Sequence, residues 1–203
     1  LMPEGSLAAR FAAIKDLPAD RPVVGLCKLI TMSEIKKFDG HLVPRKPGKG
    51  ALSGVSPLMS HEVLHTIFPV PETLPNEDTW MELAVLHYPG WTVVHSDIVG
   101  CAWRVHEGNS INMMAGFAEY NRKITIRLSA YSLFLKQHGG MLSPSGRAEL
   151  EGKVKCEEHR VKGEVFGVLF SPVGLVDRLR ALSITNPALY GIRKRLYGLL
   201  SGW

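Results

Sequence analysis

The chain has 203 residues, 45% of them hydrophobic and 21% charged, which excludes a disordered or fibrous protein and suits one globular core with room for an appendage. Its net charge of +5 admits an anionic partner, but no RNP-type aromatic motif, zinc-finger spacing or Arg/Lys-rich run accompanies that charge, so nucleic acid is not expected. Cys27, Cys101 and Cys156 are widely spaced and form no C-x-x-C pair. No apolar run approaches the ~18 residues of a membrane span, and a cytoplasmic setting is expected.

Taken in order, the opening Leu1-Met2-Pro3 is unusual for a complete gene product and predicts a fragment of a longer protein. SLAARFAAIKDL (6–17) predicts a helix capped by Ser6, with Leu7, Phe11 and Ile14 on one face and Pro18 as its stop. RPVVGLCKLIT (21–31) predicts a buried strand. Residues 32–57 hold four glycines and three prolines and predict a long, flexible loop carrying the basic residues Arg45, Lys46 and Lys49. Ser60 is placed to cap a short helix ended by Pro69. A second helix is expected from about Asn76 to Tyr88, ahead of Pro89-Gly90. WTVVHSDIVGCAWRVH (91–106) predicts two strands or one long bent strand. Residues 113–138, 145–170 and 173–200 read as helices. Helices interleaved with apolar strands, then helices alone, predict an α/β layer over 1–112 followed by a helical extension over 113–203.

Two motifs compete within a short span. HEVLH (61–65) fits H-E-x-x-H, which sets two imidazoles on one helix face around zinc with the glutamate as base. Against a zinc peptidase stand the short helix, the breaker in VSPLMS and the lack of an obvious third ligand, since Glu72 and Glu77 do not lie in a downstream helical motif. The alternative is two surface histidines. PRKPGKGALSG lacks the first glycine and the hydroxyl residue of a phosphate loop. Asn76-Glu77-Asp78 opens a helix, where the macrodipole favours ionised carboxylates and a base that deprotonates a hydroxyl is well served. Acidic residues also occur in first turns for stability alone. Arg104 and His106 alternate onto one side of an extended chain, an arrangement suited to a diphosphate.

The order of these features resembles the second half of family 2 glycosyltransferases. It runs GALSGVSPLMSHEVL, IFPVPETL, NEDTWMELAVLHYPG, TVVHSDIVGCA, then WRVHEGNS, which is similar to that family's Y-R-x-H-x-x-N-x-S with Trp103 in place of Tyr. The resemblance covers roughly residues 1–112. It implies a partial GT-A fold, a Rossmann-like layer, and inverting transfer from a nucleotide-diphosphate-sugar, UDP-linked above all, to an acceptor hydroxyl. Asp78 would be the base and Glu77 its neighbour positioning the acceptor. Ser53 and Gly54 would approach donor and acceptor sugar. Arg104 and His106 would face the donor diphosphate, His106 completing a site for Mg²⁺ or Mn²⁺. HEVLH then falls where the family needs no zinc.

The family's acidic D-x-D is absent: Asp16 and Asp20 are too far apart and Asp39 stands alone. The chain thus reads as the half of an enzyme without its donor-binding strands, or as a non-catalytic binding module derived from such a scaffold. In NPALYGIRKRLYGLL, the apolar spacing of Leu189, Ile192, Leu196 and Leu199 beside Arg193–Arg195 raises a membrane-surface contact through 186–203 and a carbohydrate or lipid-linked acceptor. The alternative is packing of that face onto its own domain.

Overall fold

The computed structural model describes residues 1–18, 20–105 and 115–196. These form a mixed α/β protein of two compact units, one holding Leu1–Glu72 with 76–105 and the other Thr73–Pro75 with 115–196.

The first unit contains, in order, α1 (Ser6–Ala12), β1 (Val23–Met32), β2 (Leu42–Val43), β3 (Leu58–Met59), α2 (His61–Ile67), α3 (Asp78–His87) and β4 (Thr92–Arg104). Every strand pairs with β1. β4 runs parallel to it from Thr92 opposite Val23 to Arg104 opposite Met32, with register shifts on either side of Lys28. The segment expected as two strands or one bent strand is therefore one irregular strand. Because β4 occupies one edge of β1 along its length, the short antiparallel strands share the other. β3 lies beside Val24–Gly25, and β2 lies beside Leu29–Ile30.

Between β2 and β3 the backbone of Cys27 has no strand beside it, and loop residues take that place. Ser56 Oγ accepts from Cys27 N at 3.0 Å and donates to Cys27 O at 2.9 Å, while Ala51 N donates to Cys27 O at 2.8 Å. Ser56 is fully buried. A hydroxyl that both donates and accepts can stand in for a neighbouring peptide unit, which an aliphatic side chain cannot.

The core is formed by residues that the apolar patterning marks. Val24, Leu26, Val63, Ile67, Trp80, Leu83 and Ala84 are all exposed by no more than 2%. Trp80 Nε1 donates to Ile67 O at 2.8 Å and so satisfies a carbonyl at the end of α2. α3 stops where Pro89 drives Tyr88 into extended backbone and Gly90 takes a positive φ of 82°.

Helix α1 departs from expectation. It ends at Ala12 rather than near Leu17, Gly5 and not Ser6 occupies the cap position, and Leu7 and Phe11 are 52% and 58% exposed. The inward face carries Ser6 and Arg10. The Ser6 hydroxyl donates to Gly100 O, and Arg10 Nη2 donates to Ser56 O at 2.5 Å. A buried guanidinium is tolerated because a backbone acceptor meets it. The glycines below allow the approach, since a Cβ on Gly100 would lie 2.9 Å from Arg10 Cδ and one on Gly25 would lie 3.0 Å from Ile14 Cγ2. The long segment 32–57 also holds more than loop. It contains a 3-10 turn at Lys36–Phe38 and β2, and its glycine-rich part is fastened to the sheet as described below.

The second unit is helical: α4 (Phe117–Leu128), α5 (Ala130–His138), α6 (Pro144–Lys162), α7 (Val165–Leu169), α8 (Leu175–Leu182) and α9 (Pro187–Arg195). Each of the three long helices expected from sequence is divided, at Ser129, at Gly163 and at 183–186. Gly163 closes α6 with φ 77°, a left-handed conformation that glycine adopts without cost, and Asn186 Oδ1 caps α9 by accepting from Leu189 N. Arg160, 1% exposed, ties α6 to α4 through Asn121 and Thr125 and pairs with Glu157 on its own helix. Among the described residues no helix is long and apolar enough to cross a membrane. In α9, Tyr190 is buried, whereas Ile192 and the following Leu196 are 53% and 43% exposed, and Leu199 lies outside the described residues.

Replacing Ser56 by Ala removes both bridges to Cys27 and leaves a buried donor unmet. The expected cost is about 1–3 kcal/mol in urea unfolding at neutral pH. A change below ~0.3 kcal/mol would show that water or a shifted loop takes over the role.

Candidate functional site

The turn at Ser53-Gly54 is held at both ends by Cys27, through Ala51 and Ser56, and Ser56 N donates to Ser53 O at 3.1 Å. This places Gly54 at the first residue of α3. Gly54 N donates to Asp78 Oδ1 at 2.5 Å, and Asn76 Nδ2 donates to Asp78 Oδ2 at 3.3 Å. Each carboxylate oxygen of Asp78 thus has a donor from the turn or from the residue two positions before it. Glu77, at the cap position, lays its carboxylate over Gly54, so that a Cβ there would collide with Glu77 Oε1 and lie 3.0 Å from Asp78 Oδ1. Ser53, Gly54, Glu77 and Asp78, far apart in sequence, come together.

Two polar atoms at this cluster are buried without a hydrogen-bond partner among the described residues, Ser53 Oγ and Asn76 Oδ1. Both atoms are closed off from solvent as well, so they are polar groups packed inside the cluster and not an open surface.

A second group of residues, not singled out from the sequence, fastens the neighbouring loop. Lys28, 4% exposed, donates from Nζ to Pro44 O at 2.7 Å and to Lys46 O at 2.8 Å, and lies 3.3 Å from Asp97 Oδ1. Asp97 accepts from Gly48 N at 2.9 Å, and His95 Nδ1 accepts from Gly50 N at 3.1 Å. Burial and the nearby Lys49 charge hold the His95 imidazole below its ordinary pKa, which keeps it neutral and Nδ1 able to accept. The sequence signal was available: His95 and Asp97 are two apart on a strand and so share a face.

Arg104 is exposed on the last residue of β4, opposite Met32. The Ser53–Gly54 turn attaches at Cys27, five residues back along β1, so the backbone of Arg104 stands ~16 Å along the sheet from that level. His106, expected to face the diphosphate and a metal, lies outside the described residues.

In HEVLH both histidines are exposed, with Nε2 atoms 2.9 Å apart. A backbone hydrogen bond, and after it the Ser60 hydroxyl, hold the Glu62 carboxyl below the usual range. Among the described residues no group of three or more His, Cys, Asp or Glu is arranged to hold a metal ion. A cavity of about 180 Å³ lies in the helical unit between Tyr120, Tyr131, Lys153, Glu157, Arg180 and Arg193, and contains none of the motif residues. No family model, curated protein or solved structure matches this chain.

The two glycines of these loops should respond differently to a methyl group. At Gly50 a Cβ would stand 2.5 Å from the Leu26 carbonyl carbon, whereas at Gly54 the collision is with the end of the Glu77 side chain, which can swing aside while Asp78 stays in place. Gly50→Ala is expected to cost about 1–3 kcal/mol and Gly54→Ala less than ~1 kcal/mol in urea titrations. The reverse order would mean that the Glu77 side chain is pinned and the strand yields.

Proposed function

We propose that this chain forms the acceptor side of an inverting glycosyltransferase similar to family 2, on the C-terminal part of a GT-A fold, with Asp78 as the base. The observation that carries the reading is the Asp78 carboxylate, held by Gly54 N and Asn76 at the start of α3 with the Glu77 carboxylate beside it. A carboxylate held in place by a backbone N–H and an amide is suited to receive an acceptor hydroxyl at a defined angle. Asp78 takes the proton of that hydroxyl as the oxygen attacks the anomeric carbon from the side opposite the leaving diphosphate. Glu77 receives a neighbouring hydroxyl, and the Ser53-Gly54 turn backs the acceptor sugar, so that the angle of attack is set.

The described residues do not make a divalent-cation site, so the Mg²⁺ or Mn²⁺ that such a reaction uses would be held by residues outside them. On this reading Arg104, on the last residue of β4, faces the pyrophosphate of a UDP-sugar. β4 also supports a larger sheet: although Val93, Val94, Ile98 and Val99 are apolar, each is only half-buried. A carbohydrate or lipid-linked acceptor in the cytoplasm, reached at the membrane surface by the exposed Ile192 and Leu196 beside Lys194 and Arg195, completes the proposal.

Calorimetry with UDP and Mn²⁺, combined with an assay of UDP release from UDP-sugars in the presence of saccharide acceptors, tests it. Asp78→Asn should bind UDP as the parent does and lose at least ~100-fold in release. Turnover within a few-fold of the parent would reject Asp78 as base. Failure of both proteins to bind UDP would favour a non-catalytic binding module built on a transferase scaffold.

A further inference from the structure

We propose that His61 and His65 form a two-nitrogen binding site for Cu²⁺ or Ni²⁺ on the exposed side of α2. The helix that presents them is fixed from behind and at both ends. Val63 and Ile67 are buried on its opposite face, Ser60 Oγ accepts from Val23 N at 3.2 Å, and Ile67 O accepts from Trp80. The imidazoles stand one turn apart with ring centroids 4.2 Å apart and Nε2 atoms at 2.9 Å.

That separation selects among metals. With metal–nitrogen bonds of about 2.05 Å, nitrogens 2.9 Å apart subtend an angle of about 90° at the ion, whereas a tetrahedral angle needs about 3.3 Å. An angle near 90° belongs to neighbouring positions of a square-planar, tetragonal or octahedral ion, which is the preference of Cu²⁺ and Ni²⁺, while Zn²⁺ prefers the tetrahedron. Hydrogen-bonded to each other, one ring carries its proton on Nε2. Moving that proton to Nδ1 of the same ring turns both Nε2 lone pairs to the metal with no net proton release. Glu62 is engaged with Ser60, and no third described side chain joins the pair, so water or an external ligand fills the remaining positions. The site is independent of the transferase reading.

Titration of the full chain with CuCl₂, NiCl₂ and ZnCl₂ in a non-chelating buffer, with electron paramagnetic resonance of the one-to-one Cu²⁺ adduct, tests the proposal. The expected spectrum shows two imidazole nitrogens, and Ni²⁺ binds more tightly than Zn²⁺. The Ni²⁺–Zn²⁺ order is the informative one, since Cu²⁺ exceeds both at most nitrogen sites. His61→Ala and His65→Ala should each weaken Cu²⁺ and Ni²⁺ by at least ~tenfold, with urea midpoints unchanged because both side chains are exposed. Parent-like affinity in either variant, a single nitrogen in the parent spectrum, or Zn²⁺ bound more tightly than Ni²⁺ would each overturn it.

Discussion

The backbone of Cys27 lies between two strands that both stop short of it, and the first unit depends on how that gap is filled. A buried N–H or C=O without a partner costs about 1–3 kcal/mol, a large part of a domain's net stability. Ser56 and Ala51 meet both groups. The segment 51–56 is thereby fixed at both ends to the central strand, and the Ser53-Gly54 turn between them has little choice of position. That turn brings Gly54 N to Asp78. The carboxylate at the start of α3 is thus placed by the hydrogen-bonding needs of β1 as much as by its own helix. Arg10 adds to the same point, since its guanidinium reaches Ser56 O from α1.

The loop before this turn is held by a different kind of contact. Lys28 and Asp97 form an ion pair, but Asp97 is 59% exposed, and a pair with one partner in water contributes little. The two carbonyls that accept from Lys28 Nζ matter more, because a nearly buried ammonium cannot be left without acceptors. Asp97 and His95 then serve mainly as acceptors for Gly48 N and Gly50 N. Both loops that border the carboxylates are consequently fastened to β1 and β4 by named polar atoms. Glycine at position 50 is required by the close approach of Leu26, not by backbone dihedrals.

Much of this was readable from the chain itself. The apolar run of β1, the Pro89-Gly90 stop of α3 and the long strand before Arg104 all followed from local patterning, and the mixed α/β class followed from their order. What was missed divides into two kinds. Gly163 and Asn186-Pro187 are local capping signals, and they mark the end of α6 and the start of α9 where longer helices were expected. The second kind was not local. That Arg10 and Ser6 face inward while Leu7 and Phe11 face solvent depends on acceptors at Ser56 and Gly100, 46 and 94 residues away. Hydrophobic periodicity assigns faces by apolar burial and cannot anticipate a charged side chain satisfied by distant backbone. The cluster at Asp78 was reached through resemblance in the order of motifs, whereas the loop contacts that build it span 24 residues or more.

The two motifs that competed in the sequence show why a pattern of residue types does not settle chemistry. HEVLH places its histidines side by side, as the spacing requires, but α2 is only seven residues long and Phe68 is already extended. The motif thus sets two imidazole nitrogens side by side with no further helical turn to carry a third ligand, and no group of three or more His, Cys, Asp or Glu joins them among the described residues. Asn76-Glu77-Asp78 is the less distinctive pattern, since acidic residues open many helices. Here a remote turn closes onto it, leaves unpaired polar atoms beside it and tolerates no side chain at Gly54 without displacing a carboxylate. Convergence of residues that the chain keeps far apart is costly to arrange in entropy. On the transferase proposal, the acidic cluster and not the better-known pentapeptide is therefore the place to probe first.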